Sequence, residues 1–435
     1  MGALLLVQLG CSGTGATPAS ARPLPLEAHT APARPALCHE VSPGTPLQPL
    51  FDTAQPGEAY CLQPGRYTGP LHITKPLRLW GTRSSVIHAE EGTTVHVTAS
   101  GTVLEGFTVD GSGTRVDLLD GAVKVQADDV TVSGVAVMRA TFGILSERSK
   151  RLTVRDCVVT GSGDSALGMR GDAIRLWETH HSRVENNHVE QSRDMVVWYS
   201  SDNVLTGNTV VNGRYGMHFM FSHGNTVERN RFSGNTVGVF LMYSRNVRLQ
   251  KNVIVDSSGS AGIGVGVKES GNLVITDNQL VHNTVGVYLD TSPLQQDDWN
   301  RFERNEIRLG QTGVVFHSSQ QRNAFTENTF RDNQMQVSVE GGGDALGVTW
   351  TGNNFDDYVG YDLDGDGYGD LPYELRSLSG DLTSRTPELS FFRGAAALSL
   401  VEAVGHAVPI LAPKLLLKDP RPRVAAPETK VADAR

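Results

Sequence analysis

From residue 184 to residue 330 the chain repeats a short unit in which apolar and polar positions alternate toward an asparagine, with an apolar residue two places beyond it. Val204-Leu205-Thr206-Gly207-Asn208-Thr209-Val210 and Phe302-Glu303-Arg304-Asn305-Glu306-Ile307 are two examples. The asparagine falls at 187, 208, 230, 252, 278, 305 and 328, in steps of 21, 22, 22, 26, 27 and 23. Asp156 and Gly134 hold the same place in earlier units. A period near 22 with period-2 alternation is too short for helix pairs or propeller blades and lacks the pattern of a leucine-rich repeat. It predicts an all-β solenoid, one coil per period, whose asparagines adopt the left-handed turn conformation and hydrogen-bond from coil to coil. The general crossover rule makes this a right-handed parallel β-helix. Eleven or twelve coils over residues 77–355 would form a rod of roughly 55 Å.

Counting back from each asparagine sorts the outer wall into columns. Thirteen back stand Ile174, Met195, Met217, Val239 and Val265, and eleven back Leu176, Val197, Phe219, Leu241 and Val267, so both columns face the core. The columns between them must then face out. Twelve back gives Arg175, Val196, His218, Phe240 and Gly266; ten back gives Trp177, Trp198, Met220, Met242 and Lys268. Seven back, near the following turn, gives His180, Ser201, His223, Arg245 and Gly271. The expectation is an exposed strip of Trp, Met, Phe and His, which soluble proteins rarely leave without a partner. Trp177, Trp198 and Phe240 are its docking candidates. Its thioether and imidazole donors suit soft Cu(I) far better than Mg or Ca.

Solenoid ends need caps. Residues 36–76 are assigned to an N-terminal cap, and a Cys38–Cys61 bridge there would close a loop of about 24 residues, worth roughly 3 kcal/mol. Cys157 sits in an alternating strand and reads as a buried apolar residue. Residues 1–35 read as an export leader with a Pro/Ala/Ser-rich tether, and Cys11 as a site for lipid attachment. Residues 356–435 form a C-terminal extension: an acidic turn-rich segment, then an apolar run over 390–418 expected to form short helices and to dock a partner. That run is too short and interrupted to cross a bilayer.

Composition narrows the partners. The 435 residues include 47 Gly and only 7% aromatics, and the net charge of −9 comes without a long basic run, so a nucleic-acid partner is not indicated. Asp362, Asp364, Asp366 and Asp370, with Gly367, match four acidic positions of a calcium loop, although position twelve is Tyr373 rather than Glu. Polysaccharide lyases and hydrolases also use parallel β-helices and supply the rival reading, a carbohydrate-active enzyme or sugar binder. Asp164, Asp172, Glu178 and Asp194 do not single out an acid/base pair, and no nucleophile–base or ATP-binding motif is legible.

The strip also carries a resemblance. Gly171-Asp172-Ala173-Ile174-Arg175-Leu176-Trp177, Ser192-Arg193-Asp194-Met195-Val196-Val197-Trp198-Tyr199-Ser200, and Gly213-Arg214-Tyr215-Gly216-Met217-His218-Phe219-Met220-Phe221-Ser222-His223 look like the NosD family, periplasmic proteins of nitrous oxide reductase maturation. Val237–Ser244, Lys75–Gly81 and Gly360–Tyr373 match too, so the likeness spans about residues 36–422. It implies a right-handed β-helix that is not itself an enzyme. It further implies association with an ABC transporter (an ATPase and a membrane subunit) and copper supply to the reductase alongside a lipoprotein chaperone. Carried over, His218, Met220 and Met242 become copper contacts, with His223 beside them.

Overall fold

The computed structural model describes residues 31–377, 382, 386, 388, 389, 400 and 413–425. The leader, Cys11 and most of the apolar run lie outside the described residues. Contacts divide the chain into Met1–Thr30 and Ala31–Arg435, and all described residues belong to the second unit.

Three parallel sheets of 14, 12 and 13 strands make a β-solenoid of about 14 turns. Each strand pairs with its counterpart one coil away, so residues some 22 apart in sequence become neighbours. One α-helix, Leu47–Thr53, is described, and its Leu47 and Phe51 plug the N-terminal end. Stacking starts before the asparagine repeat does. His39–Val41 pairs with Ala59–Leu62, and the strands Gly65–Thr68 and Leu71–Ile73 complete the first coil inside the segment assigned to a cap. Cys38 and Cys61 are joined by a disulfide, which ties the first strand to that coil. Cys157 is buried with a free thiol.

The asparagines form an unbroken internal ladder. Nδ2 of each donates to Oδ1 of the next at 2.9–3.0 Å from Asn187 to Asn353. The ladder ends on Asp419, whose carboxylate accepts from Asn353 Nδ2 at 2.9 Å and from the Asn353 backbone N–H at 2.9 Å. One expectation is corrected here. The left-handed residue is not the ladder asparagine but the one before it: Asn186, Gly207, Arg229, Lys251, Asp277, Arg304, Glu327 and Gly352 all have positive φ. That residue turns the chain, and the next side chain drops inward, where it must find polar partners because water is excluded.

The end of the apolar run is also corrected. Leu415–Asp419 is a strand, not a helix, paired antiparallel with Tyr373–Arg376. Leu416 and Leu417 are buried there, so this part of the run closes the C-terminal end of the solenoid. Among the described residues no helix is long and apolar enough to cross a membrane.

Candidate metal centre on the outer sheet

The 12-stranded sheet carries the strip. Its strands Ile174–Trp177, Asp194–Trp198, Tyr215–Met220, Val237–Met242 and Ile263–Lys268 stack in the order expected. Trp177 pairs with Trp198, Trp198 with Met220, Met220 with Met242, and Met242 with Lys268. His218 lies between Val196 and Phe240. The thirteen-back and eleven-back columns are buried throughout.

The strip is less open than its composition suggested. Trp177, Trp198, Met220 and Met242 are half-buried and His218 is only 7% exposed, because large neighbours wrap the imidazole. Tyr215 stacks on it at 4.7 Å, Trp198 meets it edge-on at 5.4 Å, and Phe240 closes the far side at 6.4 Å. His218 Nε2 stands 3.2 Å from Met242 Sδ. His218 Nδ1 and Trp198 Nε1 are both buried with no hydrogen-bond partner among the described residues. Burial pushes the His218 pKa down to about 4; Asp194 opposes the shift, while Arg214 and Arg193 add to it. The imidazole is therefore neutral at physiological pH, with a lone pair to offer.

A buried charge network, not recognised from the sequence, holds this pocket in shape. Asp172 accepts from Arg193 at 2.7 Å and from Arg175 at 3.2 Å. Asp194 takes Arg214 through both oxygens, with Nε at 3.0 Å. Arg214 in turn lies over Tyr215, the ring stacked on His218. Arg175 sits between Trp177 and Trp198, 4.9 and 5.1 Å from their rings, a cation–π arrangement that fixes both indoles. Two acids considered for sugar chemistry are thus committed to arginines. Asp164 is exposed on a neighbouring loop.

A second missed feature borders the site. Tyr199, Phe221 and Tyr243, nine back from their asparagines, have φ of 52, 50 and 51° and stack at 5.4 and 4.7 Å. Bulky residues rarely adopt that conformation. Here it turns three rings outward beside Met220 and Met242 and widens the aromatic face.

His223 belongs to a different stack. It is exposed on the following turn, and its Nδ1 accepts the Arg245 backbone N–H at 3.1 Å. Burial and the Arg245 charge depress its pKa. The donor set the fold assembles is therefore His218 and Met242, with Met220 in register beside Met242. A bent N–metal–S angle with ordinary bond lengths of about 2.0 and 2.3 Å spans such a 3.2 Å gap.

In the acidic loop, carboxylate oxygens of Asp362, Asp364 and Asp366 lie within 4.8 Å of one another. Asp362 accepts the backbone N–H groups of Gly365 and Gly367, and Asp366 is paired with Arg421 at 2.6 Å. Asp370 points elsewhere, to the Leu363 N–H at 2.6 Å. Backbone dipoles and one guanidinium thus offset much of the charge a calcium ion would neutralise.

Residues 162–361, which contain the whole strip, match the family model described as periplasmic copper-binding protein (NosD). Two proteins named "Probable ABC transporter binding protein NosD" are similar along most of their length. The one from Stutzerimonas stutzeri is 25% identical over 84% of this chain and 86% of its own. That from Pseudomonas aeruginosa is 26% identical over 81% and 85%. Among solved structures, the A-module of the Azotobacter vinelandii mannuronan C-5 epimerase AlgE6 superposes with a TM-score of 0.54 at 18% identity, covering 72% of this chain and 94% of its own. The catalytic domain of a GH87 α-1,3-glucanase gives 0.53 at 14%, covering 75% and 70%. At such identities they share the fold alone. The matched family model over residues 162–361 and the two relatives along most of the chain agree with the motifs of the strip: all three are similarities to NosD proteins.

Proposed function

We propose that this chain is an extracytoplasmic accessory protein of nitrous oxide reductase maturation that receives copper at His218 and Met242 and passes it on. The observation that carries the reading is the 3.2 Å approach of a neutral, buried imidazole nitrogen to a thioether sulfur contributed by the next coil. Nitrogen and thioether donors in an aromatic surround select a soft, low-charge ion, and a hard divalent ion would lose more hydration than these donors return. The family's description as periplasmic and copper-binding supports the same assignment.

Copper here is cargo. The half-buried setting lets a partner reach Met220 and Met242 from outside while Tyr215, Trp198 and Phe240 keep bulk water from the imidazole. Trp177, Trp198, Phe240 and the Tyr199–Phe221–Tyr243 stack supply a rigid face for a copper chaperone or for the reductase. The names of the two relatives support an ABC transporter as a further partner, its ATPase supplying the energy through a membrane subunit. The apolar segment between residues 390 and 412 is the candidate contact for that subunit.

The test is complementation in cells that make nitrous oxide reductase but lack this chain. Wild-type protein should restore copper-loaded, active reductase. The His218→Ala/Met242→Ala protein should leave the reductase copper-deficient while still co-purifying with the transporter. Full copper loading by that variant would refute the assignment.

A further inference from the structure

The His218 column continues in register toward the N-terminal end of the same sheet through Arg175, Leu145 and Lys124 to His96 and His72. His96 is five strand spacings from His218, about 24 Å at about 4.8 Å each. The His72 and His96 rings lie 4.8 Å apart and 6° from parallel, and both line a cavity of about 350 Å³.

Hydrogen bonds fix which His96 nitrogen is free. Gln126 Nε2 donates to Glu147 Oε2 at 2.8 Å, and a carboxylate can only accept, so the amide oxygen turns to the imidazole. Gln126 Oε1 lies 2.6 Å from His96 Nε2, which must therefore carry the proton and leave the lone pair on Nδ1. His72 repeats the relation one coil earlier, with Nε2 at 3.3 Å from Thr98 Oγ1. Its backbone is gripped on both sides by the Gln48 amide, at 2.7 and 3.0 Å. The cations of the cavity are already paired, Lys124 with Glu147 at 3.4 Å and Arg115 with Asp120 at 3.2 Å. No unpaired positive charge among the lining residues opposes a metal there.

We propose that His72 and His96 form a second metal site, distinct from the His218–Met242 centre, that takes a borderline divalent ion, Cu(II) or Zn(II), through the two Nδ1 atoms. The donors are nitrogen with oxygen nearby and no sulfur, which separates this site chemically from the thioether centre. The Glu147–Gln126–His96 chain is the outer-shell support that metal-bound imidazoles need to hold one tautomer. Imidazole lone pairs lie in the ring plane and run side by side in this stack, so joint ligation at about 2.0 Å requires one ring to swing out of the stack until its Nδ1 lone pair meets that of the other at the ion. His72 is exposed and held by one long hydrogen bond, so it can make that movement.

The full chain, titrated with one equivalent of Cu(II) and read by electron paramagnetic resonance, should show coupling to two nitrogens. His72→Ala/His96→Ala should abolish that spectrum and the matching Zn(II) stoichiometry. His218→Ala/Met242→Ala should leave both intact, which separates this site from the proposed cargo site. Gln126→Leu, at an exposed residue that bonds His96 Nε2 but neither proposed donor atom, should weaken Zn(II) binding roughly tenfold at an unchanged unfolding temperature. An unaltered Cu(II) spectrum in the double histidine variant, or wild-type protein that binds neither ion stoichiometrically, would overturn the proposal.

Discussion

Asn230→Ala will lower stability by about 3–5 kcal/mol, among the largest losses available to a single side chain in this fold. Asn230 is 1% exposed, and its Oδ1 accepts both the backbone N–H and the Nδ2 of Asn208, each at 2.9 Å. Its own Nδ2 donates to Leu205 O at 2.9 Å and to Asn252 Oδ1 at 3.0 Å. Truncation leaves two Asn208 donors and an Asn252 acceptor short of partners where water cannot reach, at about 1–3 kcal/mol for each buried group left unpaired. Neighbouring substitutions separate this cause from backbone preference. If Asn230 served the left-handed turn, glycine would replace it without loss. The ladder predicts that Asn230→Gly is at least as damaging as Asn230→Ala. By contrast, Arg229→Gly, at the residue whose φ is 53°, should change stability by less than about 1 kcal/mol. Coils couple mainly to their neighbours, so amide exchange in the flanking coils should rise before global unfolding does. Calorimetry with hydrogen exchange reads both effects.

The second large effect is on copper. Replacing His218 by Ala or Met242 by Leu should weaken Cu(I) binding at least about a hundredfold, beyond what loss of supporting contacts around a metal usually costs. Met220→Leu should have a smaller effect, since Met220 is in register with Met242 but has no contact with His218 among those the structure shows. The pH dependence is equally specific. Metal competes with protons for the imidazole lone pair, and His218 holds its proton only below about pH 4. Affinity should therefore stay level from pH 8 to about pH 5 and fall below about pH 4. An exposed histidine near the ordinary value of about 6.5 would begin to lose metal two units earlier. The same shift affects stability. The unfolded chain takes up the proton near pH 6.5 and the folded one only near 4, so the fold loses stability as pH falls through that window. Competition titration with a chromophoric Cu(I) chelator at stepped pH reports the affinities directly.

Much of this was legible in the sequence because the ladder asparagine and the alternation around it recur at each coil, and together they fix register. Register alone placed Met220 over Trp198 and beneath Met242. The ladder begins at Asn187, whose Oδ1 meets the Cys157 N–H, and the coils before it use Gly134 or Cys157 at or next to that place. With no repeated polar marker, the strands between Ala59 and Ile73 read as a cap, although residues from 77 onward were assigned to the solenoid. The left-handed residue was misplaced by one because asparagine is the side chain that tolerates that conformation best, whereas the residues that adopt it include Arg229, Lys251, Arg304 and Glu327, which carry no such signal. The arginine–aspartate network was hidden for another reason: Asp172–Arg193 and Asp194–Arg214 pair across coils, 21 and 20 residues apart. The acids were visible as residues, but their partners were not. The aromatic stack at Tyr199, Phe221 and Tyr243 could have been found by aligning the column nine back from each asparagine.

Copper K-edge X-ray absorption on the Cu(I)-loaded full chain tests the central claim most directly, that coil stacking joins an imidazole and a thioether from different strands at one ion. The account predicts at least one sulfur neighbour together with one histidine nitrogen in the wild type, and loss of sulfur scattering in the Met220→Leu/Met242→Leu variant. A first shell of nitrogen and oxygen alone, or sulfur scattering that survives in that variant, would contradict it.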